Sequence, residues 1–197
     1  MATEEVYTRV LDDPAPHLAW FLCAQLIACR ALHASRDGDP APEEGAALDE
    51  MIAALDADCR SRGHAPLPDL PAAGPLDTLA VGYLTLGSRS GTVLLARRTT
   101  EAGCDLPRAF TLAPTGQAWR DFRARLDQLD PTSPRARRIV TDARAGFDLH
   151  RAAAALGRVI IVGGMQRAPS TRESHEAQWR ATRPEPTHHP PPSTHHP

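Results

Sequence analysis

The spacing of apolar residues narrows the fold of this chain more than any other feature. From Leu18 to Ala154 they recur at intervals of three and four, the period of a helix face, and they nowhere sustain the alternation of a half-buried strand. The first stripe is Leu18, Leu22, Leu26, Cys29 and Leu32, opened by Asp13 as N-cap and Pro14 at the first helical position. A second stripe follows Pro40 and Pro42, with Leu48, Met51, Ile52, Leu55 and Cys59 on one face. A connector rich in Gly and Pro, Ser61 to Pro75, leads to a third predicted helix running from Leu76 to Arg98. After a Gly/Pro-rich loop from Thr99 to Gln117, a fourth helix carries Trp119, Phe122, Leu126 and Leu129. Ser133 and Pro134 cap a fifth, with Ala136, Val140, Ala143, Phe147 and Ala154 along one side. Val159 to Val162 is an apolar run short enough for either helix or strand. The pattern predicts an all-α, single-domain helical bundle.

Composition decides what such a bundle is made of. Aromatic residues are only 5% of the 197, so the core must come mainly from Leu, Ala, Val and Ile. The net charge of -2 excludes a strongly basic nucleic-acid coat. All 22 basic residues counted as Lys plus Arg are Arg. That excludes Schiff-base chemistry on a lysine and the P-loop lysine. Cys23, Cys29, Cys59 and Cys104 include no C-x-x-C pair, and read as small buried thiols rather than a disulfide framework or a zinc site. With no run of about twenty apolar residues, and with Glu4, Glu5, Asp12 and Asp13 in place of a signal-type stretch, the expectation is a cytoplasmic protein with no membrane contact.

The last segment, 166–197, holds 7 of the 19 prolines and 5 of the 9 histidines, with almost no aliphatic side chains. It is expected to be a disordered His/Pro-rich tail, because it cannot bury enough apolar surface to offset its ordering entropy. His188-His189 and His195-His196 read either as a loose transition-metal chelate or as solvated low-complexity sequence. The fold is thereby assigned to residues 1–165.

The third predicted helix contains an anomaly. Its stripe is Leu76, Ala80, Tyr83, Gly87, Gly91 and Leu94, which places two glycines one turn apart on the same face. A glycine in a helix interior costs about 1 kcal/mol against alanine. Bearing that cost twice calls for bare backbone, and two explanations compete. One is close packing of another helix, and the other is a ligand lying flat against the backbone.

The segment Tyr83-Leu-Thr-Leu-Gly87-Ser88-Arg89-Ser90-Gly91-Thr92-Val93-Leu94 resembles the distal-helix motif of the heme oxygenase family, bacterial type. So do the later blocks Phe122 to Thr132 and Ala143 to His150, with Leu106-Pro107-Arg108-Ala109-Phe110 between them. The likeness spans residues 15–155. It implies a heme-oxygenase-like bundle that opens heme oxidatively to biliverdin, iron and carbon monoxide. Heme would be both substrate and cofactor. Electrons would come from an external donor, a ferredoxin or flavin reductase, since the chain carries no flavin or nucleotide motif. The resemblance also implies roles for single residues. Gly87 and Gly91 match the distal glycines, and Ser88 stands where many relatives place an Asp that organises distal water. Tyr83 belongs to the same heme-facing stripe. Thr92 replaces a frequent third glycine. Arg123 matches an arginine that pairs with a heme propionate, a planar fork meeting a carboxylate. Phe147 and His150 match pocket-wall positions. Read without the resemblance, Arg123 lies at the edge of an aromatic stripe, Phe147 is core, and His150 is a hydrogen-bonded core histidine.

One departure bears on the chemistry. The iron ligand of that family is a histidine on a helix ahead of the one starting near Pro14, at a position that falls at or before Met1. Residues 1–13 contain no histidine. Tyr7 is the nearest side chain there able to ligate ferric iron, and a phenolate ligand suppresses oxygen activation. The metal ligand is therefore unassigned. A non-catalytic heme- or tetrapyrrole-binding protein, or a regulatory helical protein, stands as the alternative to an active enzyme.

Overall fold

The structure, a computed structural model, describes residues 3–64 and 66–167. It is all-α. Helices α1 (Thr3–Asp12), α2 (Pro14–Ala34), α3 (Pro42–Ser61), α4 (Thr78–Ser90), α5 (Thr92–Glu101), α6 (Gly116–Asp127) and α7 (Pro134–Arg167) follow in order, with a 3-10 turn at Arg108–Phe110. Two short strands, β1 (Arg36–Asp37) and β2 (Leu76–Asp77), pair in parallel and tie the end of α2 to the start of α4. The chain divides into two units at Gly163/Gly164, and the helices up to that point form the first. Residues 168–197, with both His-His pairs and the expectation of disorder there, lie outside the described residues.

Helix α2 is the axis of the fold. The predicted stripe Leu18, Leu22, Leu26, Cys29 and Leu32 is buried, and so are Trp20, Phe21, Cys23, Ala24, Ile27, Ala28 and Ala31. A helix apolar all round is a core helix, and α3 together with parts of α1, α4 and α7 cover it. Helix α7 comes close because it is small where it meets α2. A Cβ on Gly157 would lie 3.3 Å from the Trp20 ring, and Ala153 and Ala154 are buried beside it. Trp20 donates its indole N–H to the Ala154 carbonyl at 2.8 Å. Contrary to the sequence expectation, α2 is long and apolar enough to cross a membrane, but 67% of that window is buried inside the protein.

Cys23, Cys29 and Cys59 agree with the reading as small buried thiols, whereas Cys104 is only half-buried. Cys23 and Cys59 face each other across α2 and α3 with sulfurs 4.0 Å apart, and all four are free. Burial pushes the Cys29 thiol up to about 12, which keeps it protonated and inert.

Two segments left open by the sequence are settled, and one expectation changes. The acidic N-terminal segment forms a helix, α1. The run Val159 to Val162 continues α7. The third predicted helix is two helices, broken at Gly91, which caps α4 and begins α5. The break alters which face is buried. Leu76 and Ala80 are in the core as expected, but Tyr83 and Leu94 are 40% and 46% exposed, and Gly91 is exposed. The buried positions of α4 are instead Leu79, Val81, Gly82, Leu84, Thr85, Leu86 and Arg89.

Caps fix the two helices that flank the cleft described below. Asp77 accepts a hydrogen bond from the Leu79 N–H at 2.9 Å and so caps α4. The Asp77 N–H in turn donates to Asp142 of α7 at 2.8 Å. Ser133 accepts from the Ala136 N–H at 3.1 Å and starts α7 where the sequence places the cap.

Candidate functional site

A cavity of about 390 Å³ opens between α4 and α7, within the range of small-molecule sites. Helix α4 supplies Tyr83, Leu84, Gly87, Ser88 and Ser90, and α7 supplies Phe147 and His150. Trp119 of α6 and Gln25 of α2 complete it. Of the residues singled out in the sequence, Tyr83, Gly87, Ser88, Phe147 and His150 line this one cavity. Gly91 and Arg123 do not: both are exposed, Gly91 at the α4–α5 break and Arg123 on the outer side of α6.

The flat group nearest the Gly87 backbone is the protein's own. A Cβ there would lie 3.8 Å from the far edge of the Trp119 indole. Trp119 stacks on the buried Phe122, with centroids 5.7 Å apart and planes 11° from parallel, and it meets Tyr83 at 5.8 Å. The bare glycine thus admits an aromatic wall, so helix packing accounts for part of the Gly87 anomaly. Trp119 also lines the cavity.

The polar groups are few. Ser88 donates its hydroxyl proton to the Thr85 carbonyl at 2.9 Å, and Ser90 donates to the Gly87 carbonyl at 2.6 Å. In this arrangement both offer lone pairs, rather than protons, to a ligand. Gln25 is half-buried in the middle of α2. It is a residue that periodicity passes over, and its signal was a lone amide within the apolar run from Leu18 to Cys29. His150 is 6% exposed, and burial pushes its imidazole down to about 4. It is therefore neutral at pH 7, the form that coordinates metals.

Arg89 was also missed as a structural residue. It is buried at the end of α4, donating to the Ala113 carbonyl at 2.8 Å and the Ala47 carbonyl at 3.4 Å, and pairing with Glu50 at 3.1 Å. It holds the loop that leads into α6, and with it Trp119, against α3 and α4.

The His150 environment makes a pH prediction. The folded imidazole ionises near 4, against 6.5 for the free group. An unfolded chain then binds a proton between those values that the folded chain does not. The contribution is fully present above about pH 6.5 and is lost as pH falls, reaching about 3 kcal/mol near pH 4. Urea denaturation of wild type and His150→Gln across this window should show the extra slope in wild type only. Equal slopes would show that His150 takes up protons in the folded state.

Among the described residues, no group of three His, Cys, Asp or Glu side chains converges to hold a metal ion. Compared with known proteins, the chain matches no family model, no curated sequence and no solved structure.

Proposed function

We propose that this is a heme-oxygenase-like helical protein that binds heme or a linear tetrapyrrole in the α4–α7 cleft. The observation that carries the reading is the convergence of Tyr83, Gly87 and Ser88 with Phe147 and His150, from two distant segments, on one cavity. The lining suits a flat, mostly apolar ring: Trp119 and Phe147 offer aromatic faces, and Gly87 offers backbone without a side chain. The neutral imidazole of His150 is the nitrogen donor within this lining that would hold iron. Bound heme would supply dioxygen activation at iron, with electrons from an external ferredoxin or flavin reductase.

The cleft supports binding more directly than cleavage. Ser88 stands where a proton-organising group is wanted, but its own proton goes to the Thr85 carbonyl. Arg123, the expected propionate partner, lies outside the cavity. Oxidative cleavage to biliverdin, iron and carbon monoxide is the second reading, favoured by the uncluttered backbone at Gly87.

Hemin titrated into the protein should give a saturable, sharpened Soret band, and Phe147→Ala together with Ser88→Trp should weaken it. A spectrum that stays that of free hemin would defeat both readings. Conversion to a biliverdin spectrum with ascorbate or a ferredoxin reductase system would select cleavage, and a stable heme complex would select binding. Arg123→Glu should leave hemin affinity unchanged, and a marked loss would restore its role as an anchor.

A further inference from the structure

A second cavity, about 450 Å³, lies on the far side of Tyr83 and Phe147, between the end of α6 and the first turns of α7. Its lining is unlike that of the cleft. Leu126, Leu129, Ile139, Val140 and Ala143 form an aliphatic trough, and Arg144 is the charged side chain in it. Val140 is 52% exposed in the trough, so apolar surface is open to water there. Surface of this kind in a recess marks a binding groove.

Arg144 supplies the direction. Elsewhere on α7, Arg135 pairs with Asp77, Arg138 with Asp142 and Arg151 with Asp148, while Arg137 donates to the Thr132 carbonyl and Arg158 lies over the Trp20 ring. Arg144 forms no ion pair among the described residues, and it stands exposed at one end of the trough. From Ala136 to Arg144 the helix rises roughly 12 Å. An unpaired guanidinium at one end of an aliphatic groove of that length matches a carboxylate on an unbranched hydrocarbon chain. The guanidinium takes both oxygens in a bidentate contact, while the chain covers the aliphatic side chains.

We propose that the trough between α6 and α7 binds a medium-chain aliphatic monocarboxylate, with Arg144 holding the carboxylate. The site shares only Tyr83 and Phe147 with the tetrapyrrole cleft and does not depend on that reading.

The probe is decanoate, below its micellar concentration, added to the full chain and followed by calorimetry and by backbone and methyl NMR shifts. Saturable binding is expected, with shifts at Leu126, Leu129, Ile139 and Val140. Arg144→Glu should weaken it by about tenfold or more, the scale of a charge-assisted hydrogen bond. Val140→Glu, an exposed change one turn away on α7, should do the same by pairing with Arg144 and repelling the ligand. Decanol should bind more weakly than decanoate and be indifferent to Arg144→Glu. The proposal is overturned if decanoate gives no saturable binding, if either variant binds as wild type does, if decanol matches decanoate, or if the shifts fall on Gln25, Ser88 and His150 instead.

Discussion

Phe122→Ala should cost about 3–5 kcal/mol of stability, the range for deleting a large buried aromatic, and a large fraction of what a domain of this size possesses. Phe122 is fully buried at the centre of a cluster with Ala47, Leu79, Ala80, Leu86 and Ile139, apart from the main core around α2. Trp119 stacks on its ring, and the Arg125 guanidinium lies 5.5 Å from its centroid. The ring fits because position 82 is glycine, where a Cβ would come within 2.8 Å of the ring edge. Gly82→Ala alone should therefore destabilise by about 1–3 kcal/mol through overpacking. In the Phe122→Ala background the same change should cost much less, since the clashing atom is gone. A urea-denaturation cycle over the four proteins measures this coupling, and additive costs would mean the contact is absent in solution. Loss of the stack should also free Trp119, reddening and quenching its emission, and should weaken hemin binding if that wall holds the ring.

The second large effect is expected at Asp58. This carboxylate is 3% exposed and accepts the backbone N–H groups of Arg108 and Ala109, each at 2.9 Å. It is the anchor that holds the 3-10 turn, and with it the buried Ala109 and Phe110, on α3. Asp58→Ala would leave both amides without a partner. At about 1–3 kcal/mol for the stranded buried Ala109 donor, and less for the part-buried Arg108 amide, the loss should reach about 2–4 kcal/mol. Asp58→Asn keeps one acceptor and should lose less. Denaturation midpoints rank the three proteins, and a wild-type midpoint for the alanine variant would mean that water replaces the carboxylate.

Much of this architecture is readable from the residues alone, for a physical reason. The stripes of α2 and α3 are dense enough that burial follows them, and Ser133-Pro134 marks a helix start by local chemistry. On α6 only Phe122 is buried, and on α7 the predicted Val140 and Phe147 are exposed while Ile139, Leu149 and Ala153 are buried in their place. What the stripes miss is burial achieved by polar groups. Thr85 is buried because its hydroxyl donates to the Val81 carbonyl, and Arg89 because carbonyls and Glu50 satisfy its guanidinium. An apolar count skips both, and so it assigns α4 the wrong inner face. The same limit applies at the cleft. Gln25 is one polar residue in a core helix, and only the packing of α4 and α7 shows that its surroundings are a cavity. Arg123 and Gly91 point elsewhere because α4 ends at Gly91, and because α6 turns Phe122, not its neighbour, inward.

Two side chains, Tyr83 and Phe147, line both cavities, and each is more than a third exposed. Exposed side chains exchange rotamers in picoseconds to nanoseconds, far faster than a ligand arrives. Rotation of both rings would join the two recesses into one continuous trough. A long or branched ligand would find the doorway open without waiting for a helix to move, and its capture rate should follow concentration linearly, with no plateau from a slow opening step.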